Sequence, residues 1–102
     1  MIEVNESNGV VEVMPTETDR VTVANVAELK NVLIAKLKGN SSKVILNLKN
    51  IKFMDSTGIS VLISSLKASR ENNNKFVICS VQRDVLKLFE LMKLDKIFEI
   101  EQ

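Results

Sequence analysis

Short apolar runs alternate with longer helical stripes along the 102-residue chain. Two β-rich runs at the start flank Ser7-Asn8-Gly9, and Asn-Gly is a strong short-range signal for a hairpin. Three stripes with apolar residues three and four positions apart follow, each separated from the next by a short apolar run. The pattern predicts strands over 2–6, 10–14, 43–48, 76–79 and 97–100, and helices over 26–37, 59–70 and 81–92.

The residues between these elements provide the expected breaks and caps. Pro15 is predicted to end the second strand because proline has no N–H group for the ladder, and the polar stretch 16–20 is predicted to be a loop. Gly39-Asn40 is typical of the end of a helix. Ser80 is predicted to cap the third helix.

The order β-β-α-β-α-β-α-β predicts an α/β fold, since right-handed helical crossovers connect parallel strands. We expect one domain over residues 1–102, in which an N-terminal β-hairpin leads into a mixed, mainly parallel sheet of about five strands covered by about three to four helices. Whether the helices share one face of the sheet depends on the strand order. The side chains expected in the core include Leu46, Ile63, Leu88, Phe89 and Met92.

Composition narrows the classes of function. The formal net charge is +1, so the chain has no strong field to attract nucleic acid or an anionic membrane. The sequence contains no histidine and three glycines, and it therefore lacks the usual general base, the usual zinc ligand and a glycine-rich nucleotide loop. These absences leave only carboxylates or lysines for catalysis, and they favour a protein that is not an enzyme and has no cofactor and no metal.

The single cysteine and the N-terminus bear on the compartment. Cys79 is alone, so it cannot form an intramolecular disulfide, and its apolar run predicts a buried, inert, reduced thiol. The first residues show neither the basic nor the apolar region of an export signal, and no apolar stretch has the length of a membrane span. We therefore expect a cytoplasmic protein without membrane insertion.

The segment Asp55-Ser56-Thr57-Gly58 carries the candidate chemistry, where a strand-side loop becomes the second helix. Ser, Thr and Asp satisfy the free N–H groups of a helix start, so the simplest interpretation is that Asp55 and Ser56 are caps. The same position would stabilise a phosphate on Ser56 and would add a bulky charge to an exposed surface. A hydrolase interpretation fails because the G-x-S-x-G spacing and a histidine partner are both absent.

Around this motif the sequence resembles the STAS domain of bacterial anti-sigma factor antagonists. The resemblance covers most of the chain after Val44, and the combined pattern is specific, whereas D-S-T-G alone would be weak. The N-terminal part departs from it, because Met14-Pro15 and the polar insertion 16–20 replace a glycine followed by an acidic residue, whose place Thr22 takes approximately. The matching segments are 43–48, 53–62, 75–78, 85–89 and 94–98.

The resemblance implies regulation by partner switching. In that family the unphosphorylated protein binds an anti-sigma factor and thereby frees a sigma factor. The anti-sigma factor is itself a serine kinase, which phosphorylates the serine after the motif's Asp, here Ser56, and a separate serine phosphatase removes the phosphate. The implied phosphorylation site is Ser56, and the residues expected to bind the partner are Asp55, Ser56, Thr57, Gly58 and Ser60.

Besides the antagonist, two other classes of function stay open from the sequence. The chain could be an interaction module of the same fold that is never phosphorylated, within a transport or signalling complex. An enzyme, such as a carboxylate-dependent hydrolase or a nucleotide-binding protein, is the third class. Gly58 could either admit a partner backbone or pack the helix start on the sheet. In family members the loop that corresponds to Met14–Thr22 lies near the phosphorylation site and helps to form the partner surface, so its divergence leaves the identity of the partner open.

Overall fold

A five-stranded mixed sheet, three helices and a second, two-stranded parallel sheet make up the computed structural model, which describes all residues from Met1 to Gln102. The strands, in chain order, are β1 (Ile2–Ser7), β2 (Val10–Pro15), β3 (Arg20–Val21), β4 (Lys43–Asn47), β5 (Phe53–Met54), β6 (Lys75–Cys79) and β7 (Glu99–Glu101). The helices are α1 (Val26–Leu37), α2 (Ser56–Glu71) and α3 (Arg83–Leu91).

The chain begins with the predicted hairpin. Asn8 and Gly9 both have positive φ, 54° and 82°, which is the signature of a type I′ turn and matches the right-handed twist of the two strands. Strands β1 and β2 pair antiparallel from Ile2 opposite Pro15 to Ser7 opposite Val10. Pro15 is the last residue of β2, as its missing N–H group predicts.

The other three strands of the large sheet add in parallel. Its order is β1-β2-β4-β6-β7, and each pair after the hairpin is parallel. The crossover from β2 to β4 contains α1, that from β4 to β6 contains α2, and that from β6 to β7 contains α3. The predicted α/β class and the mixed, mainly parallel sheet are confirmed.

All three helices cover one face of the large sheet. Alternate strand residues, among them Val13, Leu46 and Ile78, are fully buried together with helix residues such as Leu33 and Phe89 in one cluster of 22 residues. The alternation of side chains across a strand places the neighbours of these strand residues on the opposite face. That face carries ion pairs between Lys43 and Glu101 (3.8 Å) and between Lys75 and Glu99 (3.5 Å).

The predicted core is correct in part. Leu46 and Phe89 are fully buried, and Leu88 is half-buried against the core. The prediction was wrong for Ile63, which is 46% exposed, and for Met92, which is 48% exposed. Ile63 belongs to the apolar spacing of α2 but lies on its solvent side, and Met92 lies beyond the last residue of α3.

Cys79 is half-buried, not buried as its apolar run predicted. It is the last residue of β6 and alternates with the buried Ile78, so it lies on the sheet face that no helix covers. Desolvation raises the pKa of its thiol, and the charges of Glu12 and Glu101 act in the same direction against a hydrogen bond with Ser80. The thiol is free.

Two boundaries and one small sheet differ from the prediction. Helix α3 begins at Arg83 after Gln82, so Ser80 is not its cap and instead adopts a positive φ of 57° in the turn after β6. The last strand begins at Glu99, two residues later than predicted. The pairing of β3 with β5 was not predicted.

Candidate functional site

The start of α2 is held in place by the small β3–β5 sheet. Arg20 pairs with Phe53 and Val21 with Met54 in parallel register. The next backbone N–H group, that of Asp55, donates to the carbonyl oxygen of Val21 at 3.1 Å. The loop before α1 and the strand before α2 therefore reach the start of α2 as one hydrogen-bonded unit.

The carboxylate of Asp55 fixes this unit from two sides. One oxygen, Oδ1, accepts from the backbone N–H groups of Thr57 (2.9 Å) and Gly58 (3.2 Å) and from the hydroxyl of Thr57, which makes Asp55 the N-cap of α2. The other oxygen, Oδ2, accepts from the backbone N–H group of Val23 at 3.2 Å. The cap predicted at Asp55 is confirmed, and the same side chain also joins two distant segments. The prediction was wrong for Ser56, which is the first residue of α2 and caps nothing.

These hydrogen bonds stabilise the charged form of Asp55. The hydroxyl of Thr57 is the largest influence that lowers the pKa of the carboxyl group, and the backbone N–H groups of Gly58, Val23 and Thr57 also lower it. Desolvation opposes them, yet the pKa remains below its usual value. A negative charge is therefore fixed beside the helix start at neutral pH.

Ser56 and Thr57 differ in the freedom of their hydroxyl groups. Ser56 is the first residue of α2, is exposed, and makes no side-chain hydrogen bond within the chain. Thr57 is half-buried and its hydroxyl donates to Asp55. Of the two adjacent hydroxyl groups, only that of Ser56 is accessible and unoccupied, although its modification stays a prediction.

Gly58 and Ser60 occupy opposite sides of the helix start. Gly58 is buried, and a Cβ atom built on it would lie 2.5 Å from Cγ of Met54 and 3.1 Å from Cγ1 of Val21. Of the two roles considered, these surroundings support the packing role, because the glycine allows α2 to lie directly on the small sheet. Ser60 is exposed one turn beyond Ser56.

The divergent loop is ordered against the site. Its backbone carbonyl at Asp19 accepts from the N–H groups of Lys52 (2.6 Å) and Phe53 (3.2 Å). Asn25 accepts from the Thr22 N–H group at 3.0 Å and donates to the carbonyl of Arg20 at 2.9 Å. The loop therefore forms one side of the surface around Ser56.

Sequence reasoning missed three exposed residues of this surface. Val23, whose backbone N–H group donates to Asp55, is 74% exposed, and Phe53 is 49% exposed. The guanidinium carbon of Arg20 lies 5.7 Å from the centre of the Phe53 ring, within the range of a cation–π contact. The isolated run Arg20–Val21 gave no pattern signal because a strand of two residues has no measurable alternation.

Two features of the structure bear on other kinds of site. No three or more Cys, Asp or Glu residues cluster in a way that could hold a metal ion. No helix is both long and apolar enough to cross a membrane.

The comparison with known families decides between folds that share this order of elements. The family model for the STAS domain matches residues 1–102. The chain belongs to the STAS domain family. A curated relative named anti-sigma-B factor antagonist, from Staphylococcus aureus strain NCTC 8325, is 30% identical over 80 residues, which cover 78% of this chain and 74% of the relative. The predicted resemblance is confirmed.

Solved structures share the fold of this STAS domain. An anti-sigma factor antagonist domain protein from Planctomyces limnophilus superposes with a TM-score of 0.87 at 22% identity, covering 97% of this chain and 87% of the other. The Bacillus cell fate determinant SpoIIAA in its phosphorylated form superposes with a TM-score of 0.75 at 12% identity, covering 100% of this chain and 92% of the other. Both likenesses concern the fold alone.

Proposed function

We propose that this STAS domain is an anti-sigma factor antagonist that is switched by phosphorylation of Ser56. The observation that carries the proposal is the state of the two hydroxyl groups at the start of α2: that of Ser56 is exposed and free, and that of Thr57 is bound to Asp55. The curated relatives named anti-sigma-B factor antagonists support the class of partner. The unphosphorylated domain binds an anti-sigma factor with serine kinase activity, and a serine phosphatase restores that form.

The site supports a switch that acts on affinity more than on folding. A phosphate on Ser56 would add about −1.5 to −2 charges next to the first turn of α2, where the helix dipole favours negative charge. The fixed carboxylate of Asp55 opposes that gain by like-charge repulsion, since its pKa is held low. We expect the two effects largely to cancel in the free energy of unfolding.

The main effect of the phosphate is therefore expected on the free energy of binding to the partner. A partner packed against the start of α2 would have to bury the phosphate dianion without a matched cation. A penalty of a few kcal/mol weakens binding by about 10² to 10³. The domain itself needs no catalytic group in this scheme, because the kinase supplies the chemistry. The partners would be met in the cytoplasm, where sigma factors act.

Phosphorylation with defined components tests the proposal. Each purified anti-sigma factor encoded by the genome that carries this chain is incubated with the domain and Mg-ATP, and intact mass and peptide mapping locate the phosphate. We expect one phosphate, on Ser56, and none on the variant Ser56→Ala. Ser7→Ala is the matched control, since Ser7 is an exposed serine on β1, and it should be modified like the wild type.

Two outcomes would contradict the switch. A phosphate on Thr57 or Ser60 would show that the free hydroxyl of Ser56 is not the acceptor. Tight binding of an anti-sigma factor or of a transport protein without any modification would favour the interaction module that is never phosphorylated.

A further inference from the structure

The exposed face of α2 continues from Ser56 along the whole helix. At about 100° per residue, Ser60, Ile63, Lys67 and Arg70 all lie within about 40° of Ser56 around the helix axis. Each of these residues is exposed. From Ser56 to Arg70 the stripe extends about 21 Å along the axis, so a protein that packs against the start of α2 meets the rest of the stripe as well.

A groove lies at the far end of this stripe. It has a volume of about 360 Å³, and its apolar residues Ile63 and Ile97 are 46% and 51% exposed. Neighbouring apolar side chains that remain in water mark interaction surfaces more often than isolated ones do. We call it the α2 groove, and it is lined by Ile63, Leu66, Lys67, Arg70, Glu71 and Ile97.

The charge around the α2 groove is unbalanced and unpaired. Lys67 and Arg70 face one acidic residue, Glu71, and none of the three forms an ion pair with another side chain. The basic side chains thus remain available to a partner. An apolar side chain flanked by carboxylates would match both the isoleucines and the basic rim.

The exposed apolar residues at the end of α3 lack these companions. Leu91 is 82% exposed and Met92 is 48% exposed at the end of α3, and neither lines a groove. A stable protein interface buries about 800 Å² on each partner, which is far more than the helix start alone can offer. The stripe of α2 provides a continuous way to extend the contact.

We propose that the α2 groove is a second docking element of the interface around Ser56, and that it binds a segment of the anti-sigma factor in which an apolar side chain is flanked by carboxylates. This inference rests on the proposed function. The phosphate controls binding at one end of α2, and the α2 groove contributes affinity at the other end in either phosphorylation state.

Truncation of the isoleucines tests the apolar part. The anti-sigma factor that binds the wild-type domain most tightly is titrated with Ile63→Ala, Ile97→Ala and the double variant by calorimetry, alongside urea unfolding of each. We expect about tenfold weaker binding for each single variant, with little change in the unfolding midpoint because both side chains are about half exposed. The matched control Leu91→Ala removes an exposed apolar side chain elsewhere and should bind within about twofold of the wild type.

Charge reversal tests the basic part. Lys67→Glu combined with Arg70→Glu should weaken binding about tenfold or more and should reduce its dependence on salt. Lys30→Glu, an exposed reversal on α1, is the control and should leave the affinity nearly unchanged.

A double-mutant cycle separates the two ends of α2. Ile63 lies about 10 Å along the axis from Ser56, so the effects of Ile63→Ala and Ser56→Asp on the binding free energy should add. Additive effects support two separate docking elements. Strong coupling would show that Ile63 acts through the helix start and would overturn the second element.

The failures of the two proposals are distinguishable. Wild-type affinity in both groove variants, with binding still lost in Ser56→Asp, would overturn the α2 groove and leave the switch intact. A concentration-dependent dimer of the wild type that the isoleucine variants abolish, without effect on the anti-sigma factor, would assign the groove to a second copy and overturn this proposal. Failure of the wild type to bind any anti-sigma factor would overturn both.

Discussion

The starts of α2 and α3 contrast in how their free N–H groups are satisfied. At α2 the carboxylate of Asp55 accepts from the N–H groups of Thr57 and Gly58, and its second oxygen accepts from Val23. At α3 the preceding residue, Gln82, makes no cap, and its side-chain amide instead donates to the carbonyl of Lys49 at 2.5 Å. Of these two helix starts, only that of α2 is held by a side chain that both caps the helix and binds a second segment of the chain.

This difference affects how rigidly the first turn of each helix is positioned. A helix start open to water can fray without moving the rest of the domain. Fixing Asp55 to Val23 makes the position of Ser56 depend on the small β3–β5 sheet and on the divergent loop, so a partner meets a preformed surface.

A methyl group at Gly58 should destabilise the packing of the start of α2 on the small β3–β5 sheet. The variant Gly58→Ala places a Cβ atom 2.5 Å from the Met54 side chain, and we expect a net loss of about 1–2 kcal/mol after the helix preference of alanine is included. Urea unfolding measures it. Gly39→Ala is the control, because its Cβ atom would meet only ordinary contacts at 3.5 Å. Equal stability of the two variants would show that α2 is not packed closely at its start.

Truncation to alanine of the residue before α2 and of the residue before α3 compares the two helix starts directly. Asp55→Ala deletes the cap and the bond to Val23 together, so hydrogen exchange should accelerate at Val23, Thr57 and Gly58. Gln82→Ala should leave exchange in the first turn of α3 nearly unchanged, since its side chain caps nothing there. Similar acceleration at both helix starts would contradict the contrast.

The pH dependence of Asp55 gives the smallest and most specific effect. Its folded pKa is lower than its usual value, so the carboxylate contributes stability above the unfolded pKa of about 4, and that contribution is lost as the pH falls through the folded pKa. The stability difference between the wild type and Asp55→Asn should be constant between about pH 5 and 8 and should shrink below about pH 4. A difference that grows on acidification would contradict a lowered pKa.

Much of the fold could be predicted because its signals are local. The Asn8-Gly9 turn, Pro15 at the end of β2 and the apolar stripes of the helices each follow from a few adjacent residues. The start of α3 could not be placed, because a serine at position 80 has the preference of a cap while its backbone adopts positive φ in a turn.

Only the features of the site that depend on adjacent residues could be predicted from the sequence. The cap at Asp55 follows from its position before a helical stripe, and the exposure of Ser56 follows from the same boundary. The bond from Val23 to Asp55 joins residues 32 positions apart, which no local pattern reports. Ile63 was assigned to the core because its spacing fits the stripe, yet the direction of α2 on the sheet, set by tertiary packing, leaves it in solvent.

Measurements on the phosphorylated domain separate an effect of the phosphate on affinity from an effect on folding. The domain is incubated with Mg-ATP and the anti-sigma factor that is proposed to phosphorylate it, and the purified product is compared with the unmodified form by binding calorimetry and by urea unfolding. We expect the phosphate on Ser56 to weaken binding by about 10² to 10³ and to change the free energy of unfolding by less than about 1 kcal/mol. Unchanged affinity, or a loss of binding that follows from unfolding of the domain, would contradict this expectation.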